Sequence, residues 1–320
     1  MLKILVRRLV SALFTLAFVA VVVFAVAEAL PGDACTAYLG RLAQGERLDN
    51  CRASLDLDQP AAKRFVHWAR DLAQGDLGNS LKRKKPIEEI VGPRFRNTVI
   101  LGTVAALIGI PLAIVLGVFA GVYRDKIPDF VISGVSLLAM TIPEFVIATL
   151  LIFVFAISFQ WFPAVTILPT DAGIREILPN IVLPVITLAF VMTAHILRIT
   201  RASVIDAMHS EYVKMATLKG VPFRRVVFRH MLPSALLPTI NIVALTIAWL
   251  LSGVVVIEKV FNYPGLGTLI IQSIFDRDLP LVQAIALMFA LIYIAVNLIA
   301  DLLVILLNPK LRSQVSGEGG

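Results

Sequence analysis

"TVILGTVAALIGIPLAIVLGVFAGV" (residues 98–122) contains no charged side chain. A helix needs about 20 mostly apolar residues to cross a bilayer, and this stretch is long enough. The rest of the chain has the same character. Of its 320 residues, 58% are hydrophobic and only 16% are charged, whereas a typical soluble domain is about 25% charged. The sequence therefore predicts a membrane protein. Because the bilayer offers no water to bond the backbone, its spanning segments are expected to be helices.

Five further stretches are long and apolar enough to cross a bilayer. They run roughly over residues 9–30, 130–158, 177–197, 234–257 and 279–307. The first of them also resembles a secretory signal, because a basic region precedes it and "AVA" stands before Glu28. Its apolar run exceeds the about 7–15 residues of a signal, which favours an uncleaved helix. We therefore predict an all-α polytopic membrane protein with six transmembrane helices.

The distribution of basic residues predicts the orientation of these helices. With the N-terminus in the cytoplasm, the seven Lys/Arg between Arg198 and Arg229 also face the cytoplasm, as does the C-terminus. The outer loop, about residues 31–97, carries 12 Lys/Arg, but loops of about 60 residues or more escape the rule. Its run "KRKK" at 82–85 is either a solvated surface or a contact for anionic headgroups or an acidic partner. The net charge of +7 is thus explained by topology, and no nucleic acid is expected as a partner.

Composition divides the chain into three parts. Residues 1–97 hold the first transmembrane helix and the outer loop, residues 98–308 form a five-helix core, and residues 309–320 form a polar cytoplasmic tail. Within the core, "GVFAG" at 117–121 is a small-xxx-small pattern that favours close helix contact. Three prolines lie inside predicted spans, where each is expected to kink its helix. They are Pro111, Pro143 and Pro184.

The outer loop contains a predicted amphipathic helix and both cysteines of the chain. The helix is expected to begin after Pro60, because Phe65 and Trp68 follow at helical spacing. Cys35 and Cys51 either form a disulfide, which an extracytoplasmic location permits, or remain two thiols.

The sequence offers little for catalysis. It contains no P-loop, HExxH, GxSxG or CxxC motif, and its four histidines lack metal-ligand spacing, so no catalytic residue and no metal site is predicted. Carboxylates within membrane spans are functional candidates, because burying them is costly. Glu144, which follows Pro143 in "MTIPEFVIA", either lines a polar pathway or pairs with a neighbouring helix.

The segment "EYVKMATLKGVPFRRVVFRHMLP" (residues 211–233), which we call the bracket, lies between the fourth and fifth spans. Glu211 favours a helix start, Gly220 permits a turn, and Pro222 begins a second helical stretch. One face of that stretch is predicted to be apolar and another basic. The apolar face comprises Phe223, Val226, Val227, His230 and Met231, and the basic one Arg224, Arg225 and Arg229. From this pattern alone, the bracket is either a loop that fixes topology or a docking surface.

The bracket resembles the cytoplasmic loop signature of ABC importer permeases, in which a small residue, a glycine and Leu-Pro follow at fixed spacing. Ala216, Gly220, Leu232 and Pro233 stand at these positions, although Lys214-Met215-Ala216 departs from the family's generic "EAA" form. The whole segment is similar to the variant found in dipeptide/oligopeptide permeases. Further matches follow in order along the chain: "RRL", "LPGD", "GDLGNSL", "IPEF", "ITRAS", "GVVVIEKVFNYPGLG" and "RDLPLVQA".

This resemblance implies a type I ABC importer permease of the bacterial inner membrane, which forms half of a pathway for di- or oligopeptides. It implies a second homologous permease subunit, two cytoplasmic ATPase subunits that carry ATP and Mg, an extracytoplasmic binding protein, and membrane lipid as partners. The chain itself is then neither an enzyme nor a cofactor carrier. Nickel, glutathione and other small conjugates remain alternative cargoes. An ATP-independent secondary transporter is the main alternative from another class.

The resemblance also assigns residues to roles. Those implied in ATPase coupling are Glu211, Tyr212, Ala216, Gly220, Val221, Pro222, Arg224, Arg225, His230 and Pro233. Those implied at the outer gate and binding-protein contact are Glu258, Phe261, Pro264, Gly265 and Gly267. Glu144 is the one candidate for the substrate pathway.

Overall fold

A computed structural model describes residues 2–29, 32–54, 56–169 and 172–307. In these ranges the regular structure is helical, apart from one isolated backbone bridge between Asn79 and Pro86. The predicted all-α class is therefore confirmed. The helices are α1 Leu2–Ala29, α2 Ala34–Leu39, α3 Glu46–Ser54, α4 Ala61–Gln74, α5 Ile87–Val122, α6 Ile127–Thr141, α7 Glu144–Leu151, α8 Ile174–Asn180, α9 Val182–Met208, α10 Glu211–Leu218, α11 Phe223–Arg225, α12 Leu232–Val260, α13 Leu266–Phe275 and α14 Leu279–Leu307.

Of the described helices, five are long and apolar enough to cross a bilayer. A sixth span is added if α6 is counted together with α7 and the π-helix Ile152–Ser158 that continues α7. The five include α1, α5, α9 and α14, and the fifth runs from the end of the bracket into α12. Their positions follow the predicted spans, and among the helices the ends differ most for α5 and α9. α5 begins at Ile87 rather than 98, and α9 covers Val182–Met208 rather than 177–197. The polar tail, 309–320, lies outside the described residues.

The kink predicted at Pro143 is confirmed, but the span predicted over 130–158 is broken there into two helices. α6 and α7 are bent by 108° at the break between them. Pro143 lacks an N–H, and Ile142 before it is extended (φ −86°, ψ 127°), which is the conformation that a following proline favours. By contrast, Pro111 lies inside the continuous helix α5. Pro184 lies in the first turn of α9, where a missing N–H costs no intrahelical bond.

The centre of the bundle is the contact between α5 and α9, and small residues make it close. A Cβ atom added to Gly117 would lie 2.7 Å from Thr200 Cβ and 2.9 Å from the Leu197 carbonyl oxygen. One added to Gly121 would lie 3.1 Å from the Arg201 carbonyl oxygen. The close contact predicted from "GVFAG" is therefore confirmed, because the missing Cβ atoms leave room for the side chains and backbone of α9.

The outer loop forms a small helical cap beside α1. The helix predicted after Pro60 is confirmed as α4, and the rings of Phe65 and Trp68 lie 5.3 and 5.6 Å from that of Phe24 in α1. In this structure a disulfide joins Cys35 and Cys51 and so connects α2 to α3. Although burial raises the pKa of Asp33, hydrogen bonds from Thr36 and Arg52 hold it below its usual value. Asp33 also caps α2 through the backbone N–H of Thr36, at 2.6 Å.

Candidate functional site

The bracket is a helix–turn–helix between α9 and α12. α10 begins directly after Ser210, whose extended backbone occupies the N-cap position. After α10, Gly220 adopts a φ of +74°, a left-handed conformation that glycine adopts without steric cost. The N–H of Val221 donates to the carbonyl of Ala216 at 3.2 Å and closes the turn. Pro222 then precedes α11, as expected for a residue that fixes φ at a helix start.

The inner face of the bracket is apolar and buried. It belongs to one cluster with the adjoining ends of α9 and α12, and Val118 and Val122 of α5 pack against that cluster. Since three long helices meet there and packed interiors transmit strain, a displacement of the bracket would displace those helices as well. The buried members of the cluster are Val204, Ala207, Val213, Ala216, Val226, Val227, Met231 and Ala235.

The apolar face predicted for the second half of the bracket is partly wrong. Val226 and Met231 are buried as predicted, but Phe223 is 56% exposed and His230 is only half-buried. The reason is that Val226–Met231 forms a π-helix. Its i→i+5 hydrogen bonds rotate the side chains away from the α-helical spacing on which the prediction was based.

The outer face of the bracket carries exposed apolar side chains. Leu218 is 81% exposed and Phe228 is 67% exposed, and Tyr212 and Met215 are also exposed. Exposed apolar side chains that lie among charged ones are typical of protein contact sites. The charged side chains here are Glu211, Lys214, Lys219, Arg224, Arg225 and Arg229, and all are exposed.

The ten predicted coupling residues therefore fall into three groups. Ala216 is buried in the inner cluster, and Val221 and His230 are half-buried. The remaining seven are exposed, namely Glu211, Tyr212, Gly220, Pro222, Arg224, Arg225 and Pro233.

At the opposite end of α12, Glu258 is the centre of a buried hydrogen-bond network. Its carboxylate accepts from the Thr98 hydroxyl at 2.6 Å and from the N–H groups of Gly267 and Thr268 at 2.7 and 3.2 Å. Thr98 Oγ1 also accepts from the N–H of Leu266 at 2.8 Å. The first three N–H groups of α13 are thereby satisfied, and a carboxylate at that end also favours the helix dipole. The Glu258 network is defined here as Asn97, Thr98, Glu258, Tyr263 and residues 264–268.

Asn97 and Tyr263 extend this network to the loop before α13. The Tyr263 hydroxyl donates to the carbonyl of Asn97 at 2.8 Å, and Asn97 Nδ2 donates to the carbonyl of Pro264 at 3.0 Å. Burial raises the pKa of Tyr263, and the nearby Glu258 raises it further, so the hydroxyl remains a neutral donor. The loop is thus held to the start of the apolar part of α5.

Two glycines allow this close packing. A Cβ atom on Gly267 would lie 2.5 Å from Val255 Cα, and one on Gly265 would collide with the Glu258 carboxylate. The "GLG" sequence therefore serves the contact between α12 and the start of α13.

The residues predicted at this end of the molecule share one environment in the structure. All five residues predicted at the outer gate and binding-protein contact are buried, namely Glu258, Phe261, Pro264, Gly265 and Gly267. These five residues belong to the packing of the chain itself, and their place near a binding-protein contact remains a prediction. Their place near an outer gate stays a prediction.

Two family models match the chain, and together they cover the bracket and the Glu258 network. Residues 113–313 match the "Binding-protein-dependent transport system inner membrane component", and residues 1–102 match the N-terminal part of such a membrane component. The chain belongs to this permease family.

Relatives of this permease match it over almost its whole length. It is 34% identical to the glutathione transport system permease protein GsiC of Escherichia coli (strain K12) over 312 residues, 98% of this chain and 99% of the relative. GsiC of Pectobacterium atrosepticum gives the same identity and coverage. The probable peptide ABC transporter permease protein y4tP of Sinorhizobium fredii is 30% identical over 306 residues, 96% of this chain and 98% of the relative.

An ion pair that the sequence left unassigned connects two helices of this permease. Arg201, within "ITRAS", donates to buried Asp129 in the first turn of α6 through Nε at 2.5 Å and Nη2 at 2.6 Å. The N–H of Asp125 also donates to Asp129, at 3.0 Å. The sequence shows that both charges stand at span ends. A charge near the membrane needs a partner, so each could have been predicted to form an ion pair. Only the fold shows which partner each has.

Glu144 of this permease lies in the bend between α6 and α7. It is half-buried, and its Oε2 atom is buried without a hydrogen-bond partner among the described residues. The neighbouring backbone at Ile142 and Pro143 is extended rather than helical. The two interpretations left open by the sequence were a polar pathway and pairing with a neighbouring helix. The pairing has no support here, since no described side chain bonds to Oε2.

The described residues of the permease contain no candidate metal site. In these ranges no three His, Cys, Asp or Glu side chains are grouped to hold a metal ion. The buried carboxylates of Asp129, Glu258 and Asp278 each accept hydrogen bonds from the chain itself.

Proposed function

We propose that this chain is the permease subunit that forms half of the translocation pathway of an ATP-driven importer, and that its bracket docks a cytoplasmic ATPase subunit. The observation that carries this proposal is the two-sided bracket. Its inner face is fixed to three long helices, and its outer face presents exposed apolar and basic side chains. An element whose inner face packs on the spans and whose outer face is open to a partner is suited to transmit a movement of that partner to the spans.

The absence of a P-loop from the sequence supports the same role. A chain without this nucleotide-binding motif needs a partner to supply the energy of ATP. Coupling between two sites requires an element whose position both sites influence. The bracket meets this requirement, because closure of an ATPase dimer would move it, and its buried cluster would pass the movement to α5, α9 and α12.

The proposal includes a topology and a set of partners. Both termini and the bracket lie in the cytoplasm, and the Glu258 network and the outer loop lie on the other side of a bacterial plasma membrane. A second homologous permease, two ATPase subunits with ATP and Mg, and an extracytoplasmic binding protein complete the importer. The family description, a component of binding-protein-dependent transport systems, supports this assembly.

The proposed cargo is a di- or oligopeptide. The relative y4tP is named a probable peptide transporter permease, and GsiC is named a glutathione transporter permease. Glutathione is itself a small peptide, so it is the second candidate. We place Glu144 on the substrate pathway, because it is half-buried in the bend between α6 and α7 and its Oε2 atom has no hydrogen-bond partner among the described residues.

The decisive experiment is affinity purification of the chain from native membranes, followed by mass spectrometry. We expect an ABC ATPase and a second permease-like chain in stoichiometric amounts. A chain that is recovered without either of them and still transports in liposomes would instead be an ATP-independent secondary transporter.

A narrower test of the bracket is Gly220→Trp, with Gly220→Ala as its control. No atom lies within 4 Å of a Cβ atom at this position, so both variants fit sterically and share only the strain of a φ of +74°, which costs about 1–2 kcal/mol. The bulky indole, however, would project from the exposed turn. We expect Gly220→Trp to stay folded and to lose co-purification of the ATPase, while Gly220→Ala retains it. Wild-type transport by Gly220→Trp would refute the coupling role.

A further inference from the structure

The ion pair of Arg201 and Asp129 fixes the start of α6 to α9. Arg201 bonds both oxygens of the Asp129 carboxylate, through Nε at 2.5 Å and Nη2 at 2.6 Å. Asp129 also accepts from the N–H of Asp125 at 3.0 Å and from the Ser133 hydroxyl at 3.1 Å. Two parallel hydrogen bonds between a guanidinium and a carboxylate are both strong and specific in geometry. The start of α6 is therefore held to α9 in one orientation.

The same part of α9 is packed against α5 and the bracket. A Cβ atom on Gly121 of α5 would lie 3.1 Å from the Arg201 carbonyl oxygen and 2.6 Å from Val204 Cγ1. Val204, which follows Arg201 by one helical turn, is also a buried member of the inner cluster of the bracket. Packed interiors yield little and transmit strain. A movement of the bracket that displaces this part of α9 would therefore displace Arg201 as well.

α6 has little other packing that could make it follow α9. Along Ile127–Thr141, all of which is described, the buried residues are Asp129, Ser136 and Ala139. Ile132 is half-buried and packs against a cluster formed by α5 and α9. The short loop at 123–126 limits the distance between α5 and α6, but a surface loop does not fix the orientation of the helix that follows it. The ion pair is thus the contact that best fixes the orientation of α6.

At its other end, α6 leads into the bend that contains Glu144. The helix ends at Thr141, and the chain turns by 108° before α7 continues. Ile142, at the break, is extended rather than helical, and hinges are formed by such residues at the ends of elements. Ala148 of α7 belongs to a different buried cluster, which holds α7 to the bundle. A tilt of α6 about the break would therefore change the angle of the bend and the surroundings of Glu144.

We infer that Arg201 and Asp129 are positioning residues, and that their ion pair makes α6 follow α9 when the bracket moves. This inference rests on the proposed function, because it requires a bracket that an ATPase displaces. Neither residue has to touch the ATPase or the cargo, since the pair acts through α6. Chains of bonded and packed side chains of this kind carry coupling between distant sites. The pair would pass a movement of the bracket to the bend at Glu144.

The test measures how far α6 and α9 each move when the ATPase binds ATP. A spin label on exposed Val131 of α6, or on exposed Ile199 of α9, is paired with a second label on exposed Phe275 at the end of α13. Cys35 and Cys51 are joined in a disulfide and do not take up label. Double electron–electron resonance gives the two distances in the whole importer in nanodiscs, with partner subunits that carry no free cysteine. They are measured without nucleotide and with ATP plus EDTA, which prevents hydrolysis.

The ion pair is removed by D129N/R201M. The asparagine keeps an acceptor oxygen for the N–H of Asp125, and because both charges are lost, neither remains unpaired. The melting temperature should therefore stay close to that of the wild type. In the wild type we expect both distances to change by about 2 Å or more when ATP binds. In D129N/R201M the distance from α9 should change as before, whereas the distance from α6 should change less than about half as far.

The matched control is D33N/R52M, which makes the same two substitutions in an ion pair of the outer cap. It should show the wild-type changes in both distances. If the α6 distance in D129N/R201M changed as far as in the wild type, the inference would be overturned and the proposed function would stand. A lower melting temperature with equal losses at α6 and α9 would mean that the pair only stabilises the fold, which also overturns the inference. If ATP changed neither distance in the wild type, the bracket would pass on no movement, and the proposed function would fail with the inference.

Discussion

The bracket and the Glu258 network lie at opposite ends of α12, and both contain residues that the family resemblance singled out. In the network these residues are buried and bonded to one another, and Glu258 has no exposed surface. In the bracket the buried residues are ordinary apolar ones, and most of the singled-out residues face solvent. A shared motif therefore marks a place in the fold, but burial decides whether its residues hold the chain together or are open to a partner.

The difference has a physical cause. The Glu258 carboxylate satisfies donors that would otherwise be buried without acceptors, so its interactions are complete within the chain. The exposed apolar side chains of the bracket have no such contacts, and covering Leu218 or Phe228 would release free energy. Four changes would break or sharpen this comparison.

The largest effect is expected for Glu258→Ala. This change leaves the Thr98 hydroxyl and the N–H groups of Gly267 and Thr268 buried without an acceptor. At about 1–3 kcal/mol for each buried unsatisfied group, we expect a loss of at least about 3 kcal/mol. The melting temperature of the purified chain in detergent should fall by roughly 6 °C or more. Glu258→Gln, which keeps one acceptor oxygen, should lose less than half as much. A wild-type melting temperature for Glu258→Ala would mean that the network does not stabilise the fold.

Within the bracket, Met231→Ala and Leu218→Ala should change different quantities. The first should change the stability of the fold and the second the binding of the ATPase. Met231 is fully buried in the inner cluster, so its truncation should cost about 2–5 kcal/mol of unfolding free energy. Leu218 is exposed, so Leu218→Ala should leave the melting temperature unchanged and weaken ATPase binding about tenfold. Thermal unfolding and a pull-down titration with the ATPase measure the two quantities. If Leu218→Ala bound the ATPase normally, the outer face would not be the contact.

A smaller effect is expected for Gly267→Ala. The added Cβ atom would lie 2.5 Å from Val255 Cα, which is backbone and cannot rotate away. Overpacking of this kind costs about 1–3 kcal/mol. Gly134→Ala in α6 is the matched control, because no atom lies within 4 Å of a Cβ atom there. Equal melting temperatures for the two variants would show that α12 and α13 are not packed as described.

Reduction of the disulfide should have the smallest effect on the bundle. Cys35 and Cys51 close a loop within the outer cap, and the bridge joins only α2 to α3. We expect dithiothreitol to speed proteolysis within this cap, while the main unfolding transition moves little. Mass spectrometry after maleimide treatment should find no label at either residue without reductant. Labelling of both cysteines in unreduced membranes would contradict the disulfide.

Some of this architecture was predictable from local sequence. Hydrophobicity located the long helices, because a bilayer demands about 20 apolar residues whatever they later contact. "GVFAG" predicted a close helix contact, and the Cβ distances at Gly117 and Gly121 bear this out. The break at Pro143 was expected only as a kink, because the effect of a proline depends on its surroundings. Pro111, by contrast, lies inside α5 without interrupting it.

The sequence by itself determined the helical class, the membrane environment and the turn chemistry of Gly220, since these depend on composition and on a few neighbouring residues. Only the tertiary structure decided the pairings. Ser80 meets Asp278 across 198 positions, and Thr98 meets Glu258 across 160. Arg201 meets Asp129 across 72. No local pattern encodes such contacts, because they arise when separate helices pack and each buried polar group must find an acceptor or donor from another part of the chain. Packing also decided which motif residues are buried and which remain available to a partner. Glu258 is an example of the first and Tyr212 of the second.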